Sequence, residues 1–173
     1  LRIALEEFPV VYAKEWQQIF RSKLGLQLEQ DGDIELIERL LQAMHDSKVD
    51  FTTFFRQLSN IQKDSKPTDI NQRDEFLDRE SIDQWFADYI HRLQKEVLGN
   101  EARKGMMNQV NPKYILRNHL AQAAIEKAQQ DDFSEIERLQ LILSKPFDEQ
   151  ETFGDYAKPP PVDMQRIEVS CSS

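Results

Sequence analysis

Ser81-Ile82-Asp83-Gln84-Trp85-Phe86-Ala87-Asp88-Tyr89-Ile90-His91-Arg92-Leu93-Gln94-Lys95-Glu96-Val97 is the stretch that decides the fold. Its first four residues form a capping-box pattern, in which the serine oxygen and the glutamine amide satisfy each other's free backbone groups at a helix start. Ile82, Trp85, Phe86, Tyr89, Ile90, Leu93 and Val97 then recur at the helical period for about four turns. A start near Arg73, reset by the box, also fits the pattern. Gly99 breaks the run.

The same reading works outward in both directions. Leu1 to Glu7 reads as helix without a preceding cap, and with Leu rather than Met at position 1 the chain is expected to be cut from a longer one. Pro9 either opens the next stretch or kinks a continuous helix, because proline has no amide hydrogen. Trp16, Ile19, Phe20 and Leu24 follow at helical spacing, with Gly25 as a left-handed C-terminal cap. After the Asp31-Gly32-Asp33 turn, Ile34, Ile37, Leu40, Leu41 and Met44 mark a second stripe. Phe51, Phe54, Phe55 and Leu58 crowd a short aromatic helix that should be deeply buried. Asn60 to Asn71 reads as a loop.

Downstream of Gly99, a short helix is expected from about Glu101 to Met107. Asn111-Pro112 then supplies an N-cap and a first-turn proline for a stripe of Ile115, Leu116, Leu120, Ala123 and Ala124. Asp132 with Glu135 repeats the capping-box logic for Ile136, Leu139, Ile142 and Leu143. Beyond Pro146 the periodicity fades, and Pro159-Pro160-Pro161 should hold an extended polyproline arm. The expected architecture is all-α, an irregular multi-helix bundle: a helical domain over 1–145, then an irregular proline-rich tail over 146–173 that ends in the cysteine-containing motif.

Composition narrows the function classes. Twenty-two Lys and Arg against thirty-one Asp and Glu give a net charge of −9, which repels a phosphate backbone, so nucleic acid is a poor partner. No stretch reaches the roughly 18 to 20 apolar residues that cross a bilayer, so no membrane is expected either. The single cysteine, Cys171, cannot form an internal bridge and is compatible with a reducing compartment.

Candidate chemistry is sparse. The five glycines are scattered and build no phosphate-binding loop, and Phe153-Gly154-Asp155 reads as a tail turn. His45, His91 and His119 fall on three separate expected helices. Asp88 and His91 lie one turn apart, but a metal site needs about three or four converging donors. Asp31 and Asp33 beside Gly32 are only faintly similar to a calcium loop, because Ile34, Leu36 and Ile37 replace its later ligands, and a helix cap is the better reading. The carboxylates Asp74, Glu75, Asp78 and Glu80, interleaved with Arg73 and Arg79, read as a salt-bridged solvent face. Arg103, Lys104, Lys113 and Arg117 are locally basic, a pattern that usually marks a solvated helix face. No catalytic, cofactor-binding or metal residue is nominated. Cys171 is an exposed thiol with redox or regulatory potential, although Glu168 and the terminal carboxylate disfavour its thiolate.

Several stretches together resemble the selenoprotein O family, also called YdiU. They are V-N-P-K-Y-I-L-R-N-H-L-A-Q at Val110 to Gln122, D-D-F-S-E-I-E-R-L at Asp131 to Leu139, P-F-D-E-Q at Pro146 to Gln150, R-x-K-L-G-L at Arg21 to Leu26 and the terminal E-V-S-C-S-S at Glu168 to Ser173. The resemblance covers essentially the whole chain and identifies it with the C-terminal part of such a protein. It implies a protein-kinase-like fold, a pseudokinase that uses ATP with Mg or Mn to transfer AMP to hydroxyl side chains of proteins. The nucleotide- and metal-binding residues would all lie upstream of Leu1. Only Cys171 carries over, matching the position where some members hold selenocysteine. The family's P-P-D-W step is Pro159-Pro160-Pro161-Val162-Asp163-Met164 here, without the tryptophan.

The expectation is therefore a helical region of a protein adenylyltransferase, inactive alone, whose partners are the N-terminal kinase-like portion of the same polypeptide and, in the parent, protein substrates. A bacterial cytoplasmic location is implied, or a mitochondrial one if the source is eukaryotic. The alternative is a stand-alone helical interaction module with an exposed apolar groove. A metal enzyme survives only if His91 or His119 meets converging carboxylates.

Overall fold

The computed structural model describes residues 2–161, and within them every regular element is helical. The α-helices are α1 (Arg2–Leu24), α2 (Asp33–Ser47), α3 (Phe51–Leu58), α4 (Arg79–Leu93), α5 (Asn100–Val110), α6 (Asn118–Ala128) and α7 (Ser134–Leu143). Short 3-10 segments span Pro67–Asp69, Asn71–Glu75 and Glu151–Ala157. The chain divides into two units, residues 1–111 and 112–173. Position 146, the expected start of the tail, falls inside the second unit.

In the first unit, α1 runs through Pro9 and stops at Gly25, whose φ of 70° is the left-handed conformation expected of a C-terminal cap. The Leu26 amide donates to the Arg21 carbonyl at 2.9 Å and the Gly25 amide to Ser22 at 3.1 Å. These two bonds are a Schellman closure, which uses up carbonyls the helix end would otherwise leave unpaired. Gly25 is also a packing contact. A Cβ there would lie 2.7 Å from Met107 Sδ and 2.9 Å from Arg103 Cγ, so the missing side chain lets α1 and α5 meet.

α2 closes in the same way at Lys48, with φ 55° and amide bonds from Lys48 to His45 and from Val49 to Met44, a cap that no glycine announced. Its buried stripe is Leu36, Ile37, Leu40 and Met44, whereas Ile34 is exposed. In α3, Asp50 caps the first turn by accepting from the Thr53 amide at 2.9 Å. Phe54, Phe55 and Leu58 are fully buried, as the aromatic run implied, although Phe51 stays partly in solvent. The 60–71 stretch is a loop that carries the Pro67–Asp69 3-10 turn, and it sends Ile61 and Ile70 into the core.

α4 is the spine of this unit, but it starts and ends differently from the sequence reading. The cap is Asp78: its carboxylate accepts from the Ser81 amide at 3.0 Å and from the Ser81 hydroxyl at 2.7 Å. Ser81 is thus the third helical residue, and a carboxylate two donors can reach displaces the hydroxyl as cap. The helix ends at Leu93, and Val97 is exposed. Between these ends, Ile82, Trp85, Phe86, Tyr89, Ile90 and Leu93 are buried as the period demanded. The two polar aromatics keep their donors paired, Trp85 Nε1 with the Leu36 carbonyl and Tyr89 Oη with the Leu24 carbonyl, each at 2.8 Å. Each fully buried Phe or Leu contributes roughly 1.5 to 3 kcal/mol.

In the second unit, Pro112 does not open a helix. The Lys113 and Tyr114 amides both donate to the Pro146 carbonyl, at 2.8 and 3.1 Å, and the buried Tyr114 ring directs its hydroxyl to the Gln150 carbonyl at 2.9 Å. These bonds to a segment far along the chain hold 113–117 out of helix, and α6 begins only at Asn118. Of the expected stripe only Ala124 is buried, and Leu116 is exposed. α7 buries Leu139 and Ile142 while Ile136 faces solvent. The Asp132 carboxylate does accept from the Ser134 amide at 3.0 Å, but Glu135 does not complete a box because its side chain is engaged elsewhere.

Candidate functional site

The densest chemistry in the first unit is a buried ionic cluster. Arg92, on the last turn of α4, donates from Nε to Asp33 Oδ1 at 2.6 Å, from Nη2 to Asp33 Oδ2 at 3.2 Å, and from Nη1 to Glu96 Oε1 at 2.7 Å. Its Nη2 also reaches the Leu28 carbonyl. Asp33 Oδ2 accepts from the Gln30 amide at 3.0 Å, and Glu96 accepts from the Gln27 amide at 2.9 Å and the Leu28 amide at 3.3 Å. All three side chains are buried. Burial works against the Arg92 charge, but the two carboxylates outweigh it and hold its pKa above the ordinary value.

This cluster clamps the 27–33 turn onto the end of α4 and has little left to offer a substrate. The guanidinium donors and carboxylate oxygens are committed to one another and to backbone, so the arrangement is a rigid joint. Asp33 is therefore neither a calcium ligand nor a simple cap, but one of the two carboxylates of this joint, with Glu96.

Arg103 is the second buried cation, only 1% exposed, and corrects the reading of a solvated basic face. Its guanidinium donates to the Ile61 carbonyl and approaches the Ser59 carbonyl and the Tyr89 hydroxyl, each at 3.5 Å. Burial pushes the Tyr89 phenol pKa up, with Arg103 acting the other way. Arg103 thereby satisfies loop carbonyls that helix geometry leaves bare. Arg117, in the second unit, is likewise buried rather than solvated. Asn111 is not the N-cap expected of it but the C-cap of α5: its side-chain amide donates to the Lys23 carbonyl at 2.9 Å and its oxygen accepts from Lys23 Nζ at 3.2 Å.

One open cleft of about 610 Å³ lies between α2 and the start of α4, floored by Phe76 and Trp85 and rimmed by Arg39, Asp46, Leu77 and Ser81. Several of its polar groups are paired within the protein: Arg39 with Asp88 at 2.6 Å, Gln42 with Asp46 at 2.8 Å, Ser81 with Asp78. The Ser81 hydroxyl and the Asp78 carboxylate that meet there form the N-terminal cap of α4. Of the acidic run read as a salt-bridged face, Asp74 pairs with Arg79 whereas Asp78 caps α4, and Arg73 binds Asp83 instead.

The second unit has its own polar knot. The Glu135 carboxylate accepts from Tyr156 Oη at 2.5 Å, from Lys127 Nζ at 2.9 Å and from Arg138 Nη1 at 2.9 Å. Burial would raise its pKa, but the Tyr156 hydroxyl and the Lys127 ammonium prevail and hold it below the usual carboxylate value. The knot ties α7 to the Glu151–Ala157 segment.

The histidines do not converge. His45 and His91 are exposed on α2 and α4, and Asp88 is taken by Arg39 and by Gln84 at 3.0 Å. His119 is half-buried on α6, its pKa lowered by burial and by Arg117. No group of three or more His, Cys, Asp or Glu that could hold a metal occurs among the described residues. Nor is any helix among them long and apolar enough to cross a membrane. Cys171 and the motif around it lie outside the described residues.

What the fold and these sites define is a helical module whose buried charges serve architecture. Comparison with known proteins says which family it comes from. The family model described as protein adenylyltransferase SelO matches residues 1–144, and the chain belongs to that family. Proteins named protein nucleotidyltransferase YdiU are similar to it: those of Burkholderia cenocepacia (strain HI2424), at 48% identity, and of Burkholderia multivorans (strain ATCC 17616 / 249), at 47%, each over 169 residues. Both alignments cover 98% of this chain and 32% of the relative, so the chain spans about a third of the length of the curated relatives it matches.

Proposed function

We propose that this chain is the C-terminal helical region of a protein adenylyltransferase with a protein-kinase-like fold. In that reading the parent polypeptide transfers AMP from ATP, with a divalent metal, to Ser, Thr or Tyr hydroxyls of proteins, and the helical region supplies scaffold and regulation. One observation carries it: the match of residues 1–144 to the family model described as protein adenylyltransferase SelO. A reaction on ATP needs a phosphate grip and a metal site, and the residues for both are assigned to the kinase-like portion of the parent. Cys171 is proposed as a redox-sensitive position in the tail, and the bacterial relatives favour a cytoplasmic setting.

The test uses ATP labelled on the α-phosphate, with the 173-residue chain and the full-length polypeptide assayed side by side for labelled protein. The full-length protein labels and the chain alone does not. Labelling by the chain alone overturns the division of labour, and no labelling by either overturns the activity. A stand-alone interaction module is the second reading, favoured only by the α2/α4 cleft.

A further inference from the structure

α1 is anchored over only part of its length. Trp16 and Phe20 pack against the core and Leu24 is buried in it, whereas Phe8, Val11, Tyr12 and Ile19 are 63%, 55%, 59% and 52% exposed. At about 100° per residue these four fall within roughly one 100° arc of the helix, contiguous with the arc that Trp16 and Phe20 turn into the core. Phe8 stacks on Tyr12 with centroids 5.9 Å apart, and Trp16 meets Phe20 in a tilted contact at 4.7 Å, so aromatic pairs occur both on the exposed part of the helix and where it enters the core. Residues 8–15, all exposed, extend the helix for about 12 Å beyond Trp16 and contain Pro9, and helical stretches of that length are marginal in water without a packed face.

We infer that this face of α1 is a docking surface for the remaining portion of the longer polypeptide. The inference rests on the reading above that such a portion exists, and one observation and one physical argument select that occupant. The relatives carry about two thirds of their length outside the matched stretch, since the alignment covers 32% of them. A covalently attached partner arrives at millimolar effective concentration, so a narrow stripe of four apolar side chains is enough to hold it. A second copy is the weaker occupant, because two chains of net charge −9 repel each other.

Amide exchange across residues 8–19 tests this in the full-length polypeptide and in the 173-residue chain, each as wild type and as the double variant V11D/Y12D. Docking predicts at least about tenfold slower exchange of this stretch in the full-length wild type than in the chain, lost in the variant. The variant also lowers the melting temperature of the full-length protein and leaves that of the chain unchanged, since both side chains are exposed there. Equal exchange in the two wild-type proteins overturns the inference. So does a 173-residue chain that is dimeric with the stretch protected and becomes monomeric on V11D/Y12D, which would assign the face to a second copy. A full-length protein that protects α1 yet transfers no AMP would sink the proposed activity and leave the docking surface standing.

Discussion

Gly25 serves two requirements at once, and a Gly25→Ala substitution separates them. Its φ of 70° costs an L-residue about 1 to 2 kcal/mol. The new methyl would also stand 2.7 Å from Met107 Sδ and 2.9 Å from Arg103 Cγ, closer than real contacts allow. Met107 and Arg103 are themselves buried, so relief must come from shifting α5, an overpacking cost of about 1 to 3 kcal/mol. The total loss is therefore about 2 to 5 kcal/mol. Gly32→Ala isolates the first part, because Gly32 has φ 90° and open space around it, and should cost only about 1 to 2 kcal/mol. Gly105→Ala, inside α5 with nothing nearby and no positive φ, should stabilise by about 0.5 to 1 kcal/mol. Urea unfolding followed by tryptophan fluorescence reads these differences in the first unit alone, since both tryptophans, Trp16 and Trp85, lie there. A Gly25→Ala variant no less stable than Gly32→Ala would refute the claim that the missing side chain sets the approach of α1 to α5.

Three further outcomes follow from the polar clusters and caps. Arg92→Met should cost about 3 to 5 kcal/mol in the same urea assay, because it leaves the buried Asp33 and Glu96 carboxylates uncompensated; combining it with Asp33→Leu and Glu96→Leu should recover part of that loss. Lys48→Gly should gain about 1 kcal/mol, measured by the same unfolding curve, since it relieves a left-handed residue at the end of α2. Glu135 has a folded pKa below its ordinary 4.5, so its stabilising contribution is complete above that value and is lost as pH falls through the folded pKa. Protection factors for amide exchange at Leu139 and Ile142, taken relative to the intrinsic rate at each pH, should fall on acidification below about pH 4.5, and E135Q should flatten that response.

The apolar framework of the first unit was legible because helical period and left-handed caps are local. The face of α4, the Gly25 stop and the Phe54/Phe55 cluster needed no partner from elsewhere to be recognised. The charged residues that hold the fold were not legible for the opposite reason. Arg92 and Glu96 look like ordinary surface residues until Asp33, 59 positions before Arg92, arrives beside them. Arg103 is similar, since its meaning lies in carbonyls of the 59–61 loop. Asn111-Pro112 carried a sound local helix-start signal, and it was overruled by bonds to Pro146 that no local pattern contains. The site was less legible than the fold. What could be read of the activity came from resemblance, and Cys171, the one position transferred that way, lies outside the described residues.

The central claim concerns where the AMP chemistry resides. Labelling protein with α-phosphate-labelled ATP, using the full-length polypeptide and residues 1–173 in parallel, addresses it most directly. The expected result is labelled product from the full-length protein and none above background from residues 1–173, whether or not Cys171 is reduced. Label transferred by residues 1–173 alone would contradict it.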